Sequence, residues 1–213
     1  SDIENFRGTT LSTIFSVEQG PEAMGQRLEA LFVEAEAAVD AGRTMLILSD
    51  RGVDAERAPI PALLALSSIH HHLIRVGKRS QCSLIVETGE AREVHHFALL
   101  VGYGAAAINP YLAFQTLQDM VNKGMLPSQD GNTQADEETD VVHQYTENYI
   151  KAIGKGLLKI FSKMGISTLQ SYCGAQIFEI IGLNEDFTAR YFPGTASRIG
   201  GAGLKEIASE SLL

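Results

Sequence analysis

Short apolar runs alternate with helical stripes along most of this chain. TTLSTIF (9–15) has the texture of a short strand, and Gly20-Pro21 then opens a helix. Across 22–41 the apolar positions Leu28, Leu31, Phe32, Ala35, Ala38 and Val39 recur at helical spacing, and Gly42 is a natural stop. TMLILSD (44–50) is a continuous apolar run ending in a polar turn, the mark of a strand buried on both faces. The pattern then repeats. Pro59 and Pro61 precede a helix over 62–76, closed by Gly77, and CSLIVETGE (82–90) reads as a second buried strand. EVHHFALLVGYG (93–104) reads as a helix and AAAIN (105–109) as a short strand, with Pro110 placed to begin a new helix.

The later part is less regular. PSQDGNTQADEETD (127–140) is polar, acidic and turn-rich, and predicts an exposed loop. A long helix over 141–164 follows, then GISTLQ as a strand, SYCGAQIFEIIGL as a helix, and a last short helix near 203–211. Four or five strands alternating with helices imply parallel pairing through crossovers. The predicted class is α/β: repeated βα units on a mainly parallel sheet, in a single domain over 1–213. Pattern alone leaves open whether that sheet is open or a partial barrel.

Composition narrows the function. With 45% hydrophobic and 20% charged residues the chain reads as an ordinary globular protein, and its net charge of −9 disfavours nucleic acid or an anionic membrane as partner. No charged residue occurs from Phe97 to Gln118, which approaches the ~20 residues of a membrane span. Gly102, Gly104, Asn109 and Pro110 interrupt it, so two buried elements are expected there instead. Cys82 and Cys173, far apart in sequence, suit a reducing cytoplasm, and no charged-then-apolar segment opens the chain. A cytoplasmic location is expected, and the SDIENF start without Met suggests a piece of something longer.

Five of the six histidines fall within residues 68–104. Metal-binding histidines on a helix work at i, i+4 spacing, whereas His70, His71 and His72 are consecutive and diverge by about 100° each. His95 and His96 have the same geometry. No metal site is expected, and the rings are read as helix residues bonded to nearby carbonyls and carboxylates. Cys82 opens an apolar strand as a small hydrophobe. Cys173 is placed where GISTLQ turns into a helix, a position that lowers a thiol pKa, but no histidine close in sequence serves it as a base.

Three strand-end stretches carry the remaining candidates. Ser49-Asp50-Arg51-Gly52 follows a strand's carboxyl end, where α/β proteins place ligands, and equally suits a turn in which Asp50 bonds backbone amides and Gly52 has positive φ. Glu87-Thr88-Gly89-Glu90 occupies the equivalent place on the next strand. GYGAA (102–106) looks superficially like a phosphate loop but precedes a strand, the reverse of the dinucleotide order. No catalytic residue, cofactor ligand or metal ligand is assigned from these residues. A second reading stays open, in which a free-standing barrel-like enzyme binds a flavin or phosphate at a helix start over Ser171–Gln176. A third is a binding or regulatory protein.

Long ordered phrases supply a further signal: LILSDRGV (46–53), IPALLALSSIHHHLIRVGKR (60–79), ETGEAREVHHFALLVGYGAAAINPYLAF (87–114), NYIKAIGKGLLKIFSKMGISTLQSYCGAQIFEIIGL (148–183) and FPGTASRIGGAGLKEIA (192–208). In these the chain resembles the large subunit of glutamate synthase, specifically the later part of its central domain. The resemblance implies a rudimentary, incomplete TIM-barrel-like fold without its own cofactor. It places the domain between an amidotransferase domain and an FMN-binding domain, with FMN and an iron–sulfur cluster bound by other segments of the parent. It further implies that this segment helps form the path by which ammonia reaches the flavin site, where 2-oxoglutarate becomes glutamate. Parallel α/β folds gather ligand-facing loops at strand ends. Thr88 and Ile108 are therefore expected to line that path.

Overall fold

The structure, a computed structural model, describes residues 7–126 and 135–213, and of 135–140 only the backbone. The apolar runs form one sheet. β1 (Gly8–Ser12), β3 (Met45–Ser49), β5 (Ser83–Glu87) and β6 (Ala105–Asn109) lie side by side in that order, every neighbouring pair parallel. Between them run α1 (Glu22–Asp40), α2 (Ala62–Arg75) and α3 (Val94–Gly102). Leu11, Leu46, Leu48, Leu84 and Val86 point to the helix-covered face, each 5% exposed or less. They join the stripe Leu28, Leu31 and Ala35 of α1, and Leu66, Ile69 and Leu73 of α2, in one core. Burying each large aliphatic side chain contributes about 1.5–3 kcal/mol, which fixes the register of the sheet.

The other face differs from the expectation of strands buried on both sides. Met45, Ile47 and Ile85 are half-buried there, while Thr10 and Ala107 are exposed. Strands in chain order with their helices on one side are the plan of a barrel segment, so the fold is an incomplete, TIM-barrel-like α/β arrangement. A short antiparallel pair, β2 (Ile14–Ser16) with β4 (Arg57–Pro59), sits beyond the ends of β1 and β3. The β4 strand was not foreseen, being only three residues long.

α4 (Tyr111–Asn122) follows Pro110 as expected. α5 (Ala135–Met164) begins earlier than predicted. Of the expected loop 127–140, residues 135–140 are helical, in keeping with acidic residues at a helix N-terminus; residues 127–134 lie outside the described residues. Two later expectations are corrected. GISTLQ is not a strand: Gly165 (φ 70°) ends α5, and Thr168 caps the four-residue α6 (Leu169–Tyr172), its Oγ1 accepting from the Ser171 amide at 3.3 Å. SYCGAQIFEIIGL is not a helix either. Gly174 (φ 76°) turns the chain, and β7 (Glu179–Leu183) pairs in parallel with β8 (Ala196–Ala202) across α7 (Glu185–Tyr191). The expected terminal helix is α8 (Leu204–Glu210). No helix among the described residues is long and apolar enough to cross a membrane.

Candidate functional site

The four parallel strands end on polar residues in register: Ser12 pairs with Ser49, Ser49 with Glu87, and Glu87 with Asn109. Backbone bonds extend the ladder past the strands, from Thr13 N–H to Ser49 O (2.8 Å), Asp50 N–H to Glu87 O (3.2 Å) and Thr88 N–H to Asn109 O (3.0 Å). This zippering brings the side chains of the next few residues together above the sheet.

Two carboxylates organise them. Asp50 is buried and accepts from the Thr88 hydroxyl at 2.6 Å and from the Gly89 amide at 3.0 and 3.1 Å. Thr88 is itself 1% exposed and accepts from the Glu90 amide at 3.0 Å, so it is fixed from both sides. Glu87 accepts from Ser49 Oγ (2.6 Å) and Asn109 Nδ2 (3.2 Å) and pairs with Arg51 Nε at 2.7 Å. Burial pushes its pKa up, but the bonds from Ser49 and Arg51 outweigh that and hold it below the ordinary value. The Arg51 guanidinium lies 4.1 Å from the Tyr111 ring centroid, a cation–π contact. Burial, aided by its bond to Asp50, pushes the Tyr111 phenol up to about 12. Above this layer opens a cavity of about 660 Å³, bounded by Asp50, Arg51, Val53, Glu90, Tyr111 and Leu112 among others.

The sequence candidates are thus partly brought together. Ser49, Asp50, Arg51, Glu87, Thr88 and Glu90 converge. Asp50 does bond a backbone amide, but that of Gly89 in the loop after β5 instead of one in its own turn, and Gly52 has the expected positive φ of 95°. Ile108 ends up elsewhere: it pairs with Val86 on the helix-covered face and packs against the core. Asn109 and Tyr111 were missed as members. Their signal was the alignment of a polar residue at the end of every strand, which needs the register and not the sequence alone.

The histidines take separate duties. His72 Nε2 bonds Glu36 at 2.7 Å and its ring stacks on Phe32; His96 Nδ1 accepts from the Arg92 amide at 3.1 Å; His70 and His71 bond Arg79 and Ser67. No group of three potential metal ligands occurs among the described residues. Cys173 does not start a helix but follows α6, donates to Val101 O at 3.3 Å, and has its thiol pKa raised by burial. Ser171–Gln176 is accordingly the end of a single turn and no helix N-terminus for a phosphate, which removes the geometric basis of the barrel-enzyme alternative.

A family model described as the glutamate synthase central domain matches residues 1–184. The chain belongs to that family. Among its relatives, the glutamate synthase [NADPH] large chain of Bacillus subtilis (strain 168) is 48% identical over 191 residues, covering 89% of this chain and 12% of that protein. Glutamate synthase [NADH] of Saccharomyces cerevisiae is 49% identical over 177 residues, covering 83% of this chain and 8% of that protein. Ferredoxin-dependent glutamate synthase 1, chloroplastic/mitochondrial, of Arabidopsis thaliana is 44% identical over 209 residues, 95% of this chain and 12% of that protein. This central domain therefore spans about a tenth of the length of the relatives it matches. Its strand-end layer lies within the matched residues.

Proposed function

We propose that this central domain is the structural connector of a glutamate synthase, joining an amidotransferase domain to an FMN-binding domain and inactive alone. On this reading it works in a cytoplasmic enzyme, and ammonia released from glutamine crosses its strand ends to a flavin site, where 2-oxoglutarate becomes glutamate. The observation that supports this most is the family match over 1–184, which contains the whole polar layer beneath the strand-end cavity. Thr88 is proposed to act at the path by holding Asp50 in place, and Ile108 as apolar backing behind the last strand. The FMN and iron–sulfur cluster belong, on this reading, to other segments. The residues here do not fit a flavin phosphate: the Glu90 carboxylate already accepts from Ala62 N–H at 2.9 Å at the start of α2, and Tyr111, opening α4, bonds Asp50.

The test uses full-length glutamate synthase. Replacing Thr88→Trp or Ile108→Trp should lower glutamine-dependent glutamate formation several-fold while flavin reduction by the electron donor persists. Because both sites are packed, Thr88→Val is the companion, removing the bond to Asp50 at constant volume. If all three fold normally and keep wild-type coupling, these residues do not line the path and only the scaffold role stands. The 213-residue chain should leave FMN fluorescence unchanged; tight quenching at one equivalent would overturn the connector reading.

A further inference from the structure

A second cavity, sharing no residue with the strand-end one, lies between the middle of α2 and the turn after α6. It encloses about 130 Å³ and is lined by His70, His71, Tyr103, Gln176, Phe178 and Thr195, with glycine backbone filling much of the rest. That volume equals roughly four waters, or one small organic molecule. No Asp, Glu, Lys or Arg lines it, so it offers a charged ligand no counter-ion.

The two histidines are held in opposite tautomers. Arg79 Nε lies 3.0 Å from His70 Nδ1, and a guanidinium can only donate, so His70 Nδ1 accepts and its proton resides on Nε2. Arg79 is fixed in turn by the carbonyls of Cys82 (2.7 Å) and Gly104 (3.0 Å). Gly104 has φ 99°, and a Cβ there would strike the His70 ring, so the close approach requires glycine. His71 Nδ1 lies 2.9 Å from Ser67 O, and a carbonyl can only accept, so His71 Nδ1 carries the proton and Nε2 keeps its lone pair. Burial pushes His70 down to about 4 and His71 down as well, which keeps both rings neutral. Among the described residues neither Nε2 has a partner, and the rings meet edge-on with centroids 5.0 Å apart. One uncommitted donor and one uncommitted acceptor thus belong to the same uncharged cavity. The Tyr103 and Thr195 hydroxyls, bonded to each other at 2.7 Å, complete its rim.

We infer that this cavity is a binding site for a neutral primary carboxamide, whose oxygen accepts from His70 Nε2–H while its NH2 group donates to His71 Nε2. A carboxylate of the same shape has no donor for His71 and brings a charge the lining cannot offset. The amide could come from a free small molecule or from an Asn or Gln side chain, and one experiment separates them. Long-range proton–nitrogen NMR spectra of the 15N-labelled 213-residue chain first read the tautomers. Titrations then follow with acetamide, L-glutamine and a capped Gly-Gln-Gly peptide, with acetate and L-glutamate as controls. The expected result is a His70 proton on Nε2, a His71 proton on Nδ1, and saturable shifts of both Nε2 signals by acetamide. Acetate should bind at least about tenfold more weakly, one lost or mismatched hydrogen bond's worth. Tighter binding of the peptide than of L-glutamine identifies a polypeptide source, and the reverse a free amide. Ala175→Leu, which fills the cavity without touching either ring's bond, should abolish the shifts and leave the backbone spectrum intact. Other tautomers, equal response to acetate, absence of saturation, or shifts that survive Ala175→Leu would each overturn the assignment.

Discussion

Asp50 shows how much one side chain can hold when strand ends converge. It satisfies the Thr88 hydroxyl and the Gly89 amide from a nearly dry position. Asp50→Ala strands those donors and is expected to cost about 2–4 kcal/mol in urea unfolding, with Asp50→Asn less damaging because it keeps one acceptor. His70 gives a pH prediction with a definite sign. Its folded pKa of about 4 lies below the unfolded value near 6.5, so between them the unfolded chain takes up a proton the folded chain refuses. Its contribution is complete above pH 6.5 and is lost as pH falls toward 4, about 2 kcal/mol of it between pH 7 and pH 5. Urea midpoints at those two pH values check this, and His70→Gln should remove that part of the slope. The sequence made the SDRG and ETGE stretches visible as strand-end loops. It did not show Glu87 as a hub, because its partners Ser49 and Asn109 are joined to it only by register. Nor could consecutive histidines reveal opposite tautomers, which depend on Arg79 and on a carbonyl one helical turn away.

At the level of elements, legibility followed periodicity. α1, β3, α2, α3 and β6 repeat strong apolar patterns and appeared within a residue or two of their readings; β5 began within one residue of its reading but ended at Glu87, three residues short of the expected Glu90. Between 165 and 202 the pattern failed because left-handed glycines decide the path. Gly165, Gly174 and Gly182 all have positive φ, so an apolar count carried across them joins segments that the backbone separates. β8, ASRIGGA, has little apolar signal at all, and it pairs because Gly201 lets the Gly182 carbonyl come close. Helix α5 offers a matched test. Gly154 has open space around it, whereas a Cβ at Gly156 would lie 2.5 Å from Val94 Cγ2 on α3. Gly154→Ala should stabilise by about 0.5–1 kcal/mol through helix propensity, while Gly156→Ala should be neutral or destabilising as overpacking cancels the same gain. Denaturant midpoints of the two variants decide it.

For the molecule as a whole, the sheet has, among the described residues, two inner strands and two edge strands. β3 and β5 are paired on both sides, whereas among the described residues β1 and β6 are each paired on one side only. The parallel pair β7–β8 stands apart and carries the paired Ile181 and Ile199 at 73% and 59% exposure. Native-state amide exchange should rank accordingly: slowest in β3 and β5, faster in β1 and β6, fastest in β7 and β8. Equal protection in all three groups would mean that the ribbon opens only with the whole fold. A different consequence follows from helix α8. Its Ala208 is fully buried, and a Cβ at Gly25 of α1 would meet Leu204 Cδ2 at 3.2 Å, so the first long helix is covered by a helix some 180 residues later in the chain. On the ribosome α1 and its strands emerge early but keep an uncovered apolar seam until residues 204–210 have been translated and released from the exit tunnel. At about 5–20 residues per second that is a wait of roughly 10–40 seconds. The earliest-made part of this fold is thus the part most in need of a chaperone while synthesis continues.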